Sequence, residues 1–395
     1  MIGAFPLKLF LTKNIKFMKK YFFMAVATLV VSATAIVGGK YSCSSSDKNT
    51  TSIDIDLSQK SSNIDMMQVV KDIRPIKLNT NEEIIGSIDK LVWADDCLVL
   101  VDKQQETIFV FNENGELKSK IHRQGRGPQE YLTIGDATYY NGLIAVYDGA
   151  SYQICYYDIE GNFIQKHDGC EGYQLVSDGE NVIVYAGSDA DHYELHIFNQ
   201  EGIEQGVYMP VDKALNSLPT TFVNNLNMTK YEDEVLVMRY FDYNIYSLQN
   251  EQLKVKYSFS FGKDNFDQRL ITESNPVEFH RDIIKDKSVH TVDYFIESKN
   301  WLSFQAGTQT ILYRKKDGDY IVNEAMPALY KVLFLQPAIA CRDNSYVIPM
   351  SASNLKNAII PLLKNSPTGI TAFDNLVNEN VSEYDNPWLM FVQLN

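Results

Sequence analysis

The sequence predicts an all-β chain folded as a six-bladed β-propeller, and three observations carry that expectation. First, the segment Trp93 to Asp102 lines up, 46 residues on, with Tyr139 to Asp148. In both copies the terminal Asp is followed nine residues later by an aromatic (Phe111, Tyr157) and thirteen later by a glycine (Gly115, Gly161). Asp189, Phe198 and Gly202 keep the same spacing, and internal periods of this size belong to stacked supersecondary units. Second, strand-like runs such as Cys97 to Val101 and Ile108 to Phe111 are apolar on both faces. A sheet with one wet face would alternate instead, whereas a blade packed between two neighbours buries both of its faces. Third, Asn/Asp/Gly clusters punctuate these runs, among them Asn112-Glu113-Asn114-Gly115 and Ser177-Asp178-Gly179-Glu180. Such clusters supply the positive-φ positions of hairpin turns.

Pairing runs with turns divides the chain into six units, near 84–122, 132–168, 172–210, 222–262, 288–326 and 332–394. Two segments break the rhythm. Residues 263–287 read as a short helical insert between blades four and five, and 353–386 as another in blade six, opening on Leu355, Ile359, Leu362 and Leu363. A ring must also join its first and last blades. The segment Trp388 to Leu394 is a strand apolar on both faces, and Val69 to Leu78 lacks a hairpin partner of its own. Pairing the two in one sheet closes the ring.

At the N-terminus Lys19 and Lys20 precede an uncharged apolar run, Tyr21 to Val37, and then a small-residue exit ending at Cys43. Basic, apolar and small-residue regions in that order are the layout of a secretory signal. Met18 is an alternative start to Met1. Ser42-Cys43 followed by a Ser-rich stretch resembles a bacterial lipoprotein cleavage site, with Cys43 as the lipidated residue. Lys40 departs from that pattern, and Ala33-Thr34-Ala35 offers a competing cleavage site without lipid. An uncleaved anchor is the third option, the apolar run being barely long enough to span a bilayer. Residues 1–43 are therefore read as the signal peptide, 44–63 as a flexible tether and 64–395 as the propeller.

Composition excludes some function classes. With 45% hydrophobic and 12% aromatic residues, the chain can build a large core and lies outside the disordered class. The formal charge is −14, and all six basic residues of 1–43 are lysines unopposed by any acid. Beyond that segment 30 basic residues face 50 acidic ones, a surface that repels phosphate backbones and excludes nucleic acid as a partner. Cys97, Cys155, Cys170 and Cys341 are scattered and form no C-x-x-C pair, so they build no disulfide framework, although a Cys155–Cys170 bridge is open in an oxidising compartment.

The stretch Arg123-Gln124-Gly125-Arg126-Gly127-Pro128-Gln129-Glu130-Tyr131 follows a strand ending in Phe-Asn-x-x-Gly. It resembles the G-x-G-P-x-E-Y signature of six-bladed β-propeller lipoproteins of Bacteroides-type bacteria, an NHL-like or TolB-like architecture. The closing Asn386-Pro387-Trp388-Leu389-Met390-Phe391-Val392 resembles the terminal strand of that family. The resemblance covers about residues 64–395. It implies an exported, often lipid-anchored propeller in the cell envelope, and it implies no settled activity.

Candidate chemistry is sparse. Gly125-x-Gly127 lacks the third glycine and the helix of a dinucleotide fingerprint, since Glu130 stands at that place and another strand follows. The loop reads as an inter-blade connector, or as a ligand-binding loop in which Arg123, Arg126, Glu130 and Tyr131 offer charge and an aromatic face. His192 and His196 lie on a strand, where four residues span about 13 Å, too far for two ligands of one zinc. Asp102, Asp148 and Asp189 recur where an Asp caps a turn; a carboxylate ring in the channel is the rival. No G-x-S-x-G and no D-x-D-x-D-G loop occurs. No catalytic residue, cofactor or metal is therefore assigned.

The expectation is an exported, outer-membrane lipoprotein with lipid on Cys43, a monomer that binds a glycan, peptide or partner protein without catalysis. The alternatives are a propeller-type glycan hydrolase or lyase with carboxylates in the central funnel, and a subunit of a cell-envelope complex. The 24 tyrosines suit either binding or blade packing.

Overall fold

The computed structural model describes residues 50–395, apart from 217, 219–221 and 274–275. Six antiparallel sheets follow one another along the chain. From the innermost strand outward, blade one is Lys90–Ala94, Cys97–Asp102, Thr107–Asn112 and Leu117–Ile121. Blade two is Ile134–Tyr140, Leu143–Asp148, Gln153–Tyr157 and Phe163–Asp168. Blade three is Gln174–Ser177, Val182–Tyr185, Tyr193–Phe198 and Glu204–Pro210. Blade four is Met228–Tyr231, Glu234–Met238, Asn244–Gln249 and Gln252–Ser260. Blade five is Val292–Glu297, Trp301–Ala306, Gln309–Arg314 and Tyr320–Val322. Blade six runs Ala340–Arg342, Ser345–Met350, Trp388–Leu394 and then Val70–Lys77. The innermost strands contact one another in cyclic order, blade six touching blade one, so the ring is closed.

Closure follows the pairing expected from the sequence. Val70–Lys77 runs antiparallel to Trp388–Leu394, with Ile73 opposite Val392 and Lys77 opposite Trp388. The Asn395 amide donates to the Val69 carbonyl at 2.9 Å, and the Trp301 indole donates to the Asn395 carbonyl at 2.7 Å. Asn386 clasps the other end of the joint. Its Oδ1 accepts from the Ile85 amide at 2.8 Å while its Nδ2 donates to Thr80 Oγ1 and the Glu83 carbonyl. The middle strands read as apolar on both faces are the most buried: Cys97–Asp102 and Val182–Tyr185 are buried at every position.

The tether expected over 44–63 is folded from Thr51 onward, so the boundary at residue 64 is corrected. Thr51–Asp54 adds a fifth, parallel strand to the edge of blade four, with Ile53 opposite Phe259. Ile53 and Ile55 are buried against Phe259, Phe261 and Phe304. The chain then crosses blade five, where the Asp56 amide donates to the Tyr320 hydroxyl and Ser62 Oγ donates to the Tyr320 carbonyl. Ile64 and Met66 enter the core between blades five and six before Val70 begins the closing strand. Residues 51–77 thus strap three blades together. Cys43 and the leader lie outside the described residues.

The inserts fall where expected. Arg269–Glu273 and Pro276–Ile283 are helices between blades four and five, and Ala352–Asn354, Ile360–Asn365 and Thr371–Asp374 lie within blade six. A further helix, Ala328–Leu333, separates blades five and six and buries Leu329, Tyr330 and Leu333. So short an apolar run is not told from a strand by periodicity.

Burying Trp388, Met390 and Phe391 is worth roughly 1.5–3 kcal/mol each, against a net stability of about 5–15 kcal/mol for a folded chain. Deleting residues 387–395 is therefore expected to abolish cooperative unfolding, followed by circular dichroism on heating. An unchanged melting curve contradicts the closure account.

Candidate functional site

Antiparallel blades sort their connections between two ends of the ring. Inner-to-second and third-to-outer links emerge at one end and are short, such as 95–96, 141–142, 232–233 and 250–251. Second-to-third links and links between blades emerge at the other end. There lie the long segments 211–227, 261–291, 323–339 and 351–387. Elaboration is confined to that end.

The mouth of the central channel opens at the elaborated end as a cavity of about 510 Å³. Its lining comes from the starts of the inner strands and from the links beside them, including Asp89, Lys103, Thr133, Tyr173, Gln174 and Tyr294. Beneath it the inner strands are laced across blades. Lys90 Nζ of blade one donates to Asp136 Oδ2 of blade two at 2.7 Å and to the Leu175 carbonyl of blade three at 2.5 Å. Asp136 Oδ2 also accepts from the Leu175 amide at 2.8 Å. Burial pushes the Lys90 pKa down, with the Asp136 carboxylate opposing it. Gln174 Nε2 donates to the carbonyls of Asn224 and Asn225, and Gln174 Oε1 accepts from the Asn227 amide at 2.7 Å.

Blade five supplies the next stitch. Asp293 accepts from the amides of Asn225, Leu226 and Tyr294 and from Asn225 Nδ2 at 2.7 Å. Burial still raises its pKa against those donors. Other buried carboxylates are committed likewise. Glu194 pairs with Arg239 and accepts from the Tyr185 hydroxyl, and Glu297 takes Lys256, Lys315 and the Tyr257 hydroxyl.

Two of the three repeated aspartates cap turns, as their spacing predicts. Asp102 is fully buried and accepts from the amides of Gly86 and Gln105 and from Ser87 Oγ. Asp148 accepts from the amides of Leu132, Thr133 and Ala150 and from Ser151 Oγ at 2.6 Å. Burial alone would raise the Asp148 pKa; the Ser151 and backbone donors outweigh it and hold the carboxyl below its ordinary value. Asp189 does a different job, accepting from the Tyr173 hydroxyl at 2.7 Å in an irregular turn.

The loop at Arg123–Tyr131 is a built connector. The Tyr131 ring is fully buried, and its hydroxyl donates to the Glu106 and Ile121 carbonyls. Burial pushes its pKa up to about 12. The Glu130 carboxylate turns back to accept from the Gly127 amide at 2.6 Å, and a Cβ on Gly125 would stand 2.0 Å from Glu130 Oε2. As ligand contacts Tyr131 and Glu130 are thus corrected to packing and loop shaping. Arg123 and Arg126 stay exposed. Cys155 and Cys170 are both free thiols, so the open bridge is not made. His196 Nδ1 lies 2.7 Å from Glu204 Oε1, and no group of three or more metal-ligating residues gathers among the described residues. Nor is any described helix long and apolar enough to cross a membrane.

A family model described as "Domain of unknown function (DUF4934)" matches residues 50–393, which includes the strap. No curated protein matches the chain. Among solved structures, a Bacteroides fragilis NCTC 9343 protein assigned to export by its name alone superposes with a TM-score of 0.69 at 17% identity. That match covers 88% of this chain and 99% of the other. A member of the DUF4221 family from Bacteroides vulgatus ATCC 8482 gives a TM-score of 0.51 at 9% identity, over 83% of this chain and 97% of its own. At these identities the likeness is one of fold.

Two outcomes are expected from the buried charges. Lys90→Met leaves Asp136 buried without its cation and costs about 3–5 kcal/mol, while adding Asp136→Leu recovers much of that loss. Urea unfolding of the two variants checks this, and equal losses contradict it. The depressed Asp148 pKa contributes stability above the unfolded carboxylate range that is lost as pH falls through the folded value. Asp148→Asn is expected to flatten the fall in melting temperature below about pH 4; a fall as steep as that of the wild type contradicts the assignment.

Proposed function

We propose, on the premise that this chain belongs to the DUF4934 family of domains of unknown function, that it is an exported recognition protein held to the cell envelope by lipid on Cys43. It binds a glycan, peptide or partner protein with its elaborated end and does so without turnover. The observation that carries this reading is the confinement of every long connection to one end of the ring. Binding residues gather on loops that a rigid scaffold positions. Of the exposed large apolar side chains, Ile84, Tyr152, Ile284, Leu335 and Tyr384 lie on connections at that end, against Met67 and Ile203 at the short-turn end. They favour a protein partner and, as a second reading, a place in an envelope complex.

The commitment of Asp136, Asp293, Glu194 and Glu297 to amides and cations supports recognition over hydrolysis, because glycoside cleavage needs two carboxyl groups facing the substrate.

Full-length protein in cells tests both parts. Cys43→Ala is expected to move the chain from the membrane to the soluble fraction and to abolish labelling by a palmitate analogue. Arg126→Glu, at the elaborated end, is expected to weaken binding to glycan, peptide or envelope-protein arrays at least tenfold, while Asp233→Lys on the short-turn end leaves it unchanged. Chemical conversion of a bound glycan, or loss confined to the short-turn variant, contradicts the reading.

A further inference from the structure

We infer that the mouth of the central channel binds a neutral saccharide unit, with Tyr294 as its stacking platform. This deepens the recognition reading above and rests on it.

Tyr294 carries the inference through its backbone. It sits at φ 48°, in the left-handed region that bulky residues rarely enter, within the innermost strand of blade five. The pairing register of that strand shifts between Asp293 and Ile296, so the strand bulges at this residue. Bulges re-aim side chains, and a strained residue persists only where its surroundings hold it. Here Asp293 holds it. Its carboxylate accepts from the Tyr294 amide at 2.8 Å and from the Leu226 amide, in the link leading into blade four, at 3.1 Å. The re-aimed residue lines the mouth cavity, its ring half-buried against the cores on either side of blade six, and its hydroxyl makes no hydrogen bond among the described residues. Burial of the ring and the nearby carboxylates of Asp293 and Asp89 raise its pKa to about 12, so the hydroxyl is a neutral donor at physiological pH.

The rest of the lining selects the ligand class. Asp89 and Lys103 stand in the same cavity, one acceptor-only and one donor-only, so their charges offset; Asp89 Oδ2 already accepts from the Lys103 amide at 2.8 Å and from Ser87 Oγ, which leaves Oδ1 for a ligand. Lys103 forms no ion pair among the described residues. Asn225, its Nδ2 held by Asp293, adds a side-chain carbonyl oxygen at the rim. Donors and acceptors of both signs beside an aromatic face match a ring of hydroxyl groups, each both donor and acceptor, with a C–H face to stack. At about 510 Å³ the cavity is within the range of small-ligand pockets.

The test is calorimetric titration of the full chain with neutral hexose and N-acetylhexosamine mono- and oligosaccharides, with glucuronate as the charged control. Tyr294→Gly suits the left-handed backbone while removing the ring. Thr133→Trp fills the mouth with Tyr294 in place. Each is expected to weaken binding of a neutral saccharide at least tenfold, with the melting temperature of Thr133→Trp unchanged and glucuronate bound more weakly than its neutral parent. Equal affinity in wild type and Thr133→Trp overturns the site, and preference for glucuronate overturns the ligand class. Absence of saccharide binding, while the elaborated end still captures a peptide or protein, overturns this inference and leaves the recognition reading standing. Failure of every array probe removes both.

Discussion

The structure depends on closing a ring of sheets that cannot stand alone. Each blade has two apolar faces, and each face is dry only while a neighbouring blade covers it, so an open array would leave two such faces in water. The pairing of Val70–Lys77 with Trp388–Leu394 removes both at once. It joins the start and end of the propeller in one sheet, and Asn386 pins the next connector to the same joint. The strap extends this logic outward. Ile53 and Ile55 cover the edge of blade four, and Tyr320 anchors the crossing of blade five. An outer edge that would otherwise present unpaired strand groups is covered in the process.

Closure also shapes the centre. Inner strands from six blades bring polar backbone together around one axis, and those groups need partners where water is scarce. The chain meets that need with side chains that reach across blades: Lys90 to blades two and three, Gln174 to blade four, Asp293 back to blade four. The same stitches commit Asp136 and Asp293 to partners on neighbouring blades. One layer higher, Asp89, Lys103 and Tyr294 line the mouth.

Much of the fold was legible because it rests on local patterns. Both-face apolar runs marked the middle strands, Asp102 and Asp148 marked the capped turns, and the last strand announced itself by Trp388, Met390 and Phe391. The strap was missed because its pattern is short: Ile53, Ile55 and Leu57 alternate with Ser52, Asp54 and Asp56, the period of a half-buried edge strand, inside a Ser/Asp-rich stretch that reads as a tether. The site was less so. Tyr131 and Glu130 look like ligand groups in sequence, yet the same loop needs them for packing. Tyr294 and Lys90 carry no local sign, because their roles come from partners on other blades and from a bulge.

Native-state hydrogen exchange tests the closure account most directly. If the ring opens only as a whole, amides in Trp388–Leu394 exchange with the same opening free energy as those in Cys97–Asp102, on the far side of the joint from the chain's end. Exchange of the closing strand at a clearly lower free energy, with blade one still protected, would show that the blades stand without closure and would contradict the account.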